Sequence, residues 1–249
     1  MSAKSTQKRI DTLLVERGLA DSTGKAQAMI LAGEVSVDGS RADKAGTRYP
    51  QEAHIEVTAR AGKFVSRGGL KLEGALDDFG IEPAASVCLD IGSSTGGFTD
   101  CLLQRGAARV YAVDVNVDQL AWKLRQDPRV LRISRNARNL TGNDIPEPID
   151  LVAIDVSFIS ATKVLPGAVA AARPSGDLLI LVKPQFELPR QDIATGGVVS
   201  DPALHQKAIT AVREAAKRLH LEILHESPSH LPGAEGNQEY FLHARKPVR

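Results

Sequence analysis

Four apolar runs constrain the fold of this chain more than any other feature: SVCLDIG (86–92), VYAVDVN (110–116), DLVAIDVSF (150–158) and DLLILVKPQF (177–186). Each is a nearly unbroken series of Val, Leu, Ile, Ala or Cys without a helical period. Stretches with helical spacing separate or follow them: GFTDCLLQRG, VDQLAWKLRQ, ATKVLPGAVAAARP and PALHQKAITAVREAAKRL. A late strand pair surrounds LEILHESPSH and EYFLHARK. Strands apolar on both faces must be covered on both faces, so this alternation predicts an α/β domain with a parallel sheet between helical layers. In such folds ligands bind in the crevice at the carboxyl ends of the strands.

The first 60 or so residues follow a different plan. RIDTLLVERGLA places Ile10, Leu13, Leu14 and Leu19 at helical spacing, with Gly18 as terminator. In DSTGKAQAMILAGEVSVDG, Asp21 or Ser22 can cap a second helix with Ala26, Met29 and Ile30 on its apolar face and Gly33 at its end. EVSVDGSRAD reads as strand, Asp-Gly turn and strand, and HIEVTAR as one more strand. The expected organisation is a small α+β domain over 1–60, a Gly-rich basic linker over 61–70, and the α/β domain over 71–249, its first helix starting within LKLEGAL.

Composition narrows the function classes. The 249 residues are 43% hydrophobic and 24% charged, ordinary values for a globular protein able to bury a core. The formal charge is only +1, yet residues 1–70 hold 11 Lys+Arg against 8 Asp+Glu, a balance of +3 that leaves −2 for the rest. That asymmetry suits a nucleic-acid grip at the N-terminal end. The two cysteines, Cys88 and Cys101, read as small buried hydrophobes and not as a disulfide or metal pair. No apolar run is long enough to span a bilayer, and MSAKSTQKRIDTLL lacks a signal-peptide core, so a cytoplasmic location without membrane or metal is expected.

The glycine turn in VCLDIGSSTGGFTDCLL decides what the crevice holds. Gly92, Gly96 and Gly97 do not match the G-x-G-x-x-G fingerprint, and the G-K-[ST] ending of a phosphate loop is absent. Asp90 stands two residues before the first glycine, and Asp114 ends the next strand, where a carboxylate receives ribose hydroxyls. An adenosine-like ligand carrying an amine instead of phosphates fits this set, and S-adenosylmethionine is such a ligand.

With those residues in place, LDIGSSTGGFTD followed by AVDVN resembles motif I and its acidic partner in Rossmann-like methyltransferases. The N-terminal unit, in RIDTLL…GLADSTGKAQAMILAGEVSVDG, resembles the S4 RNA-binding domain, although Thr23-Gly24 stand where that family places an arginine after the capping serine. SRGGLKL, DVSFIS, VKPQFE and GNQEYF, in this order, resemble the TlyA (haemolysin A-like) family, which joins an S4 domain to an FtsJ-type RNA ribose 2′-O-methyltransferase domain. The resemblance implies S-adenosylmethionine as cofactor and ribosomal RNA or ribosomal subunits as partner, with cytidine riboses as targets. For the cofactor it implies Asp90, Gly92, Ser93, Ser94, Gly96, Gly97, Phe98, Asp114, Val115, Asn136, Ala137 and Asp155. For RNA it implies Arg9, Lys25, Arg41, Lys44, Ser66 and Arg67.

A ribose hydroxyl is a weak nucleophile near neutral pH, so a catalyst must take its proton and align its oxygen behind the methyl group. A lysine serves as base only when its ammonium form is disfavoured from a reference pKa near ~10.4. Lys183 ends an apolar strand, Asp155 ends another, and Lys71 lies in the Gly-rich RGGLKLEG. By resemblance to the FtsJ-type enzymes, Lys71, Asp155, Lys183 and Glu239 occupy the Lys-Asp-Lys-Glu tetrad, with Lys183 as base, Asp155 orienting it, and Lys71 and Glu239 placing the ribose. Phe158 and Phe186 are candidates to pack on a base. The alternatives are a non-catalytic RNA-binding ribosome-assembly factor, against which the complete tetrad argues, and a membrane-lytic protein, for which no strongly amphipathic basic helix speaks.

Overall fold

The computed structural model describes residues 7–20, 22–31, 33–57, 63–194, 196–233 and 236–248. Two compact units divide the chain, Met1–Gly62 and Lys63–Arg249.

The first unit runs β1 (Gln7–Arg9), α1 (Ile10–Glu16), α2 (Thr23–Leu31), β2 (Val35–Val37), β3 (Ser40–Arg41), β4 (Arg48–Pro50) and β5 (Ile55–Val57). β1 pairs with β4, and β3-β2-β5 form a second small sheet. Its core includes Ile10, Leu14, Ala26, Ile30, Val35 and Val37 with Met29 packed against it, while Leu19, placed with the apolar face by its spacing, is 37% exposed. Ser22 caps α2 by accepting a hydrogen bond from the Lys25 amide. Asp21, the other cap candidate, lies outside the described residues, as do 58–62, the end of the small domain and the start of the expected linker.

The second unit runs α3 (Gly68–Phe79), β6 (Val87–Ile91), α4 (Gly97–Gln104), β7 (Arg109–Asp114), α5 (Trp122–Arg125), β8 (Val130–Ser134), β9 (Ile149–Ile154), α6 (Leu165–Ala171), β10 (Ala172–Val182), α7 (Pro184–Glu187), α8 (Pro202–Arg218), β11 (Glu222–Pro228) and β12 (Tyr240–Arg245). One seven-stranded sheet has the order β11-β12-β10-β9-β6-β7-β8. β8, β7, β6, β9 and β10 are mutually parallel. β12 runs antiparallel to both β10 and β11, a departure from the all-parallel expectation. The hairpin from β11 to β12 causes it, by sending the last strand back between β11 and β10. Two apolar layers cover the faces, one containing Ile91, Val113, Ile154, Ile180 and Leu242, the other Cys88, Ala112, Ala153, Leu181 and Phe241. Successive residues of each strand alternate between the layers, as the pleat requires.

Two expectations about segments change. Residues 63–70 are not all linker: Phe64 is buried among the core of the second unit and α3 begins at Gly68, because the Phe64 ring lies against Gly69 where a side chain would collide. VDQLAWKLRQ forms only a 3-10 turn and the four-residue α5, interrupted at Leu120–Ala121 where the backbone is extended. SRNARNL carries a 3-10 turn capped by Asn136. Cys88 and Cys101 are free and buried, and burial pushes both thiols up to about 12, so neither is a ready nucleophile.

Candidate active site

The strand order reverses on either side of β6, since β7 and β8 lie to one side and β9 and β10 to the other. A crevice therefore opens where β6 and β9 end. The glycine turn follows β6 at this point. Gly92 and Ser93 both donate backbone N–H to the Val113 carbonyl, at 2.9 and 3.1 Å, and the Asp155 amide donates to the Ile91 carbonyl at 2.9 Å. Gly92 (φ +91°) and Gly96 (φ +98°) take the left-handed conformation that glycine adopts without strain. A Cβ on Gly92 would lie 2.1 Å from the Asp155 carbonyl oxygen, and one on Gly97 would lie 2.3 Å from Ser66 Oγ. The glycines thus let three segments of the chain close on one another. Ser66 and Gly68, the turn from Gly92 to Thr95, and Asp155 then wall a small open depression.

The acids named from the sequence take distinct places. Asp90 lies fully buried behind the turn, where Thr99 Oγ1 donates to one oxygen at 2.6 Å while the other has no partner. Burial, reinforced by the nearby Asp155 and Asp114 carboxylates and opposed by the Thr99 hydrogen bond, pushes the Asp90 carboxyl up to about 7. Asp114 braces the turn, accepting from the Ser94 amide at 3.0 Å and from the Asn116 amide at 3.1 Å. Ser93 is buried with an unpartnered hydroxyl, Val115 is 66% exposed, and Asn136 and Ala137 sit at the surface turn after β8. Phe98 contributes mostly to the core, 6.2 Å from Phe241 between ring centres.

Three charged groups stand at adjacent strand ends, and a fourth reaches them from α3. Asp155 directly follows β9, and Lys183 directly follows β10. Val182 pairs with Tyr240 across β10 and β12, which puts Lys183 and Glu239 next to each other at the same end of the sheet. Lys183 forms an ion pair with Asp155 and donates to Ser157 Oγ at 2.9 Å. Lys71 reaches from α3 to form a second ion pair with Glu239, with both side chains at most 7% exposed. Each buried charge is therefore matched, the condition for keeping ions in a poorly hydrated place.

Beside Lys183 lies an aromatic pair that the apolar count alone would assign to a core. Phe158 is 87% exposed with φ +65°, and its ring centre is 5.3 Å from that of Phe186. Glu187 fixes the Phe158 loop from below, accepting from Ser160 Oγ and from the Ala161 amide. Burial raises its carboxyl above the usual range. Asn237, fully buried, accepts from the Val199 amide at 2.8 Å and donates to the Gly197 carbonyl at 3.0 Å, two residues before Glu239. Ser157, Glu187 and Asn237 flank these groups along the chain and are not singled out by the sequence. Their only signal in the sequence is adjacency to the charged strand ends.

The cations expected at RNA include Lys25 and Lys44, both exposed. Arg9 is held by both Asp11 oxygens, at 3.0 and 2.6 Å, which holds the buried Asp11 carboxyl well below the usual range. Arg41 pairs with Asp43 at 2.9 Å and lies across Gly33. Arg67 does not project freely but grips the Pro232 and Gly233 carbonyls. Among the described residues no cluster of His, Cys, Asp and Glu is arranged to hold a metal ion, and no helix is long and apolar enough to cross a membrane.

Comparison with known proteins agrees with this geometry. The FtsJ-like methyltransferase family profile matches residues 64–246, and the S4 domain profile matches 8–55. The chain is 47% identical over 239 residues to the 16S/23S rRNA (cytidine-2′-O)-methyltransferase TlyA of Mycobacterium tuberculosis, covering 95% of this chain and 89% of that one. It is 40% identical to Hemolysin A of Brachyspira hyodysenteriae, covering 94% and 98% of the two chains. A solved structure of a hemolysin-named protein of Streptococcus thermophilus superposes with a TM-score of 0.75 at 37% identity, over 98% of this chain and 90% of that one. From its sheet order, its charged strand ends and these matches, the chain belongs to the FtsJ-like methyltransferase family and carries an S4 domain ahead of the methyltransferase domain.

Proposed function

We propose that the protein transfers a methyl group from S-adenosylmethionine to the 2′-hydroxyl of a cytidine ribose in ribosomal RNA. The observation that carries this reading is the alignment of Lys183–Asp155 and Lys71–Glu239 at adjacent strand ends beside the glycine turn. The names of the relatives supply the substrate class. An orphaned carboxylate oxygen on Asp90, an orphaned Ser93 hydroxyl and the open depression at Ser94 and Thr95 fit a ligand with an amine and hydroxyls. Gly92–Phe98, Asp114, Val115, Asn136 and Ala137 would hold S-adenosylmethionine, which when bound supplies an electrophilic methyl on a sulfonium.

The chain's own residues do the rest. In its neutral amine form Lys183 Nζ, steered by Asp155 and Ser157, accepts the hydroxyl proton. S-adenosylmethionine held there would supply the methyl that the ribose oxygen takes up. Lys71 and Glu239 hold the ribose in line. Phe158 and Phe186 offer a face for the base of the target nucleotide. Lys25, Lys44 and other exposed donors of the S4 unit engage RNA phosphates.

The test is transfer of labelled methyl from S-adenosylmethionine to small and large ribosomal subunits that lack ribose methylation. Transfer to either subunit supports the reading. Cofactor-independent RNA binding without transfer would favour an assembly factor.

A further inference from the structure

The loop between β11 and β12 delivers Glu239 to Lys71, and one face of α3 receives it. Arg67, Lys71, Gly74 and Asp78 are spaced by four, three and four residues, which places them on a single helical stripe. Each meets the loop or its flanks. Arg67 holds the Pro232 and Gly233 carbonyls, Lys71 holds Glu239, and Asp78 accepts from Ser227 Oγ at 3.1 Å. His230 Nε2 lies 3.1 and 3.0 Å from the two Asp78 oxygens. Gly74 explains how the imidazole can lie there, since a Cβ at that position would stand 2.6 Å from His230 Nδ1 and 2.8 Å from its Cγ. A glycine in a helix interior weakens the helix relative to alanine, so its presence calls for such a close approach.

We propose that His230, seated on Gly74 and held by Asp78, is a positioning residue that fixes the loop so that Glu239 meets Lys71. The proposal rests on the reading of Lys71 and Glu239 as site residues, but its geometry can be tested apart from catalysis. The His230–Asp78 contact is half exposed, with side chains 54% and 31% accessible, so the contact itself adds little to stability. Its effect is steric and directional: it fastens the loop on the α3 stripe to one side of Lys71, while Arg67 fastens it on the other.

The experiment compares wild type with Gly74→Ala, His230→Ala and the Gly74→Ala/His230→Ala double variant. The readouts are the acetylation rate of the Lys71 amine, measured by peptide mass spectrometry, and kcat and KM for methyl transfer. Lys71 acetylation should rise several-fold in both single variants. Activity should fall about tenfold in kcat with little change in KM for S-adenosylmethionine, the scale expected from a small misplacement of reacting groups. Because an emptied seat accommodates the new Cβ, the double variant should be no worse than His230→Ala alone. His230→Gln, which keeps a donor for Asp78, should recover part of the loss. Unchanged Lys71 acetylation in both single variants would overturn the proposal, as would independent multiplying effects in the double variant. Altered acetylation in a protein whose wild type transfers no methyl would leave the seat standing and refute the proposed activity instead.

Discussion

Lys183 and Asp155, at the ends of two neighbouring parallel strands, form an ion pair whose lysine also donates to Ser157 two residues beyond the aspartate. The lysine is thereby held by two groups of one short loop, and its direction depends on both. Lys183→Ala is expected to lower kcat by about 100- to 10,000-fold, the range for removing a general base, while leaving S-adenosylmethionine affinity within a few-fold. Ser157→Ala should cost far less, about tenfold, since it removes only one of the two anchors. Single-turnover methyl transfer and calorimetric titration of the cofactor check both.

The Lys71–Glu239 pair is more deeply buried, and removing one member strands the other. Glu239→Leu should destabilise the methyltransferase domain by about 3 kcal/mol, with Lys71 left as an unpaired buried cation. Replacing both, as Lys71→Met with Glu239→Leu, should restore most of that stability and none of the activity. Urea denaturation together with the transfer assay separates these effects.

Gly92 has no tolerance for a side chain. Its Cβ would overlap the Asp155 carbonyl, and its φ is +91°, so Gly92→Ala should cost more than about 2 kcal/mol and displace Asp155 from Lys183. A lowered thermal midpoint together with lost transfer is the expected result. Wild-type values for both would show that the turn can open without consequence.

Asp90 gives the fold a pH dependence of known sign. Its folded carboxyl titrates near 7, above the unfolded value, so its contribution to stability is fully present below about pH 4 and is lost as pH rises through 7. The shift of about three units bounds the effect at roughly 4 kcal/mol. Asp90→Asn, which is neutral throughout, should flatten this part of the stability profile, gaining on wild type between pH 5 and pH 8. Parallel urea titrations at the two pH values measure it.

The two-domain plan and the strand ends were legible because they depend on local composition. Apolar runs separated by helical spacing locate Asp155 and Lys183 at the carboxyl edge whatever the packing. The direction of β12 was not legible, because a β-rich segment reads the same in either polarity and only the hairpin from β11 decides it. The glycine turn was partly legible. Its glycines stand out in the sequence, but that Gly92 and Gly97 admit Asp155 and Ser66 of the same chain does not. The burial of Asp90 against Thr99, a contact between a strand and the helix after it, is something residue identity does not reveal. His230 and Asp78 are 152 residues apart, and no spacing rule links them.

The central claim is that the methyl reaches a ribose oxygen by way of the Lys183 site. The most direct measurement is nucleoside analysis by mass spectrometry of ribosomal RNA treated with wild-type protein or Lys183→Ala in the presence of isotopically labelled S-adenosylmethionine. The account predicts labelled 2′-O-methylcytidine from wild type and none above background from the variant. Label on a base, or equal 2′-O-methylcytidine from both proteins, would contradict it.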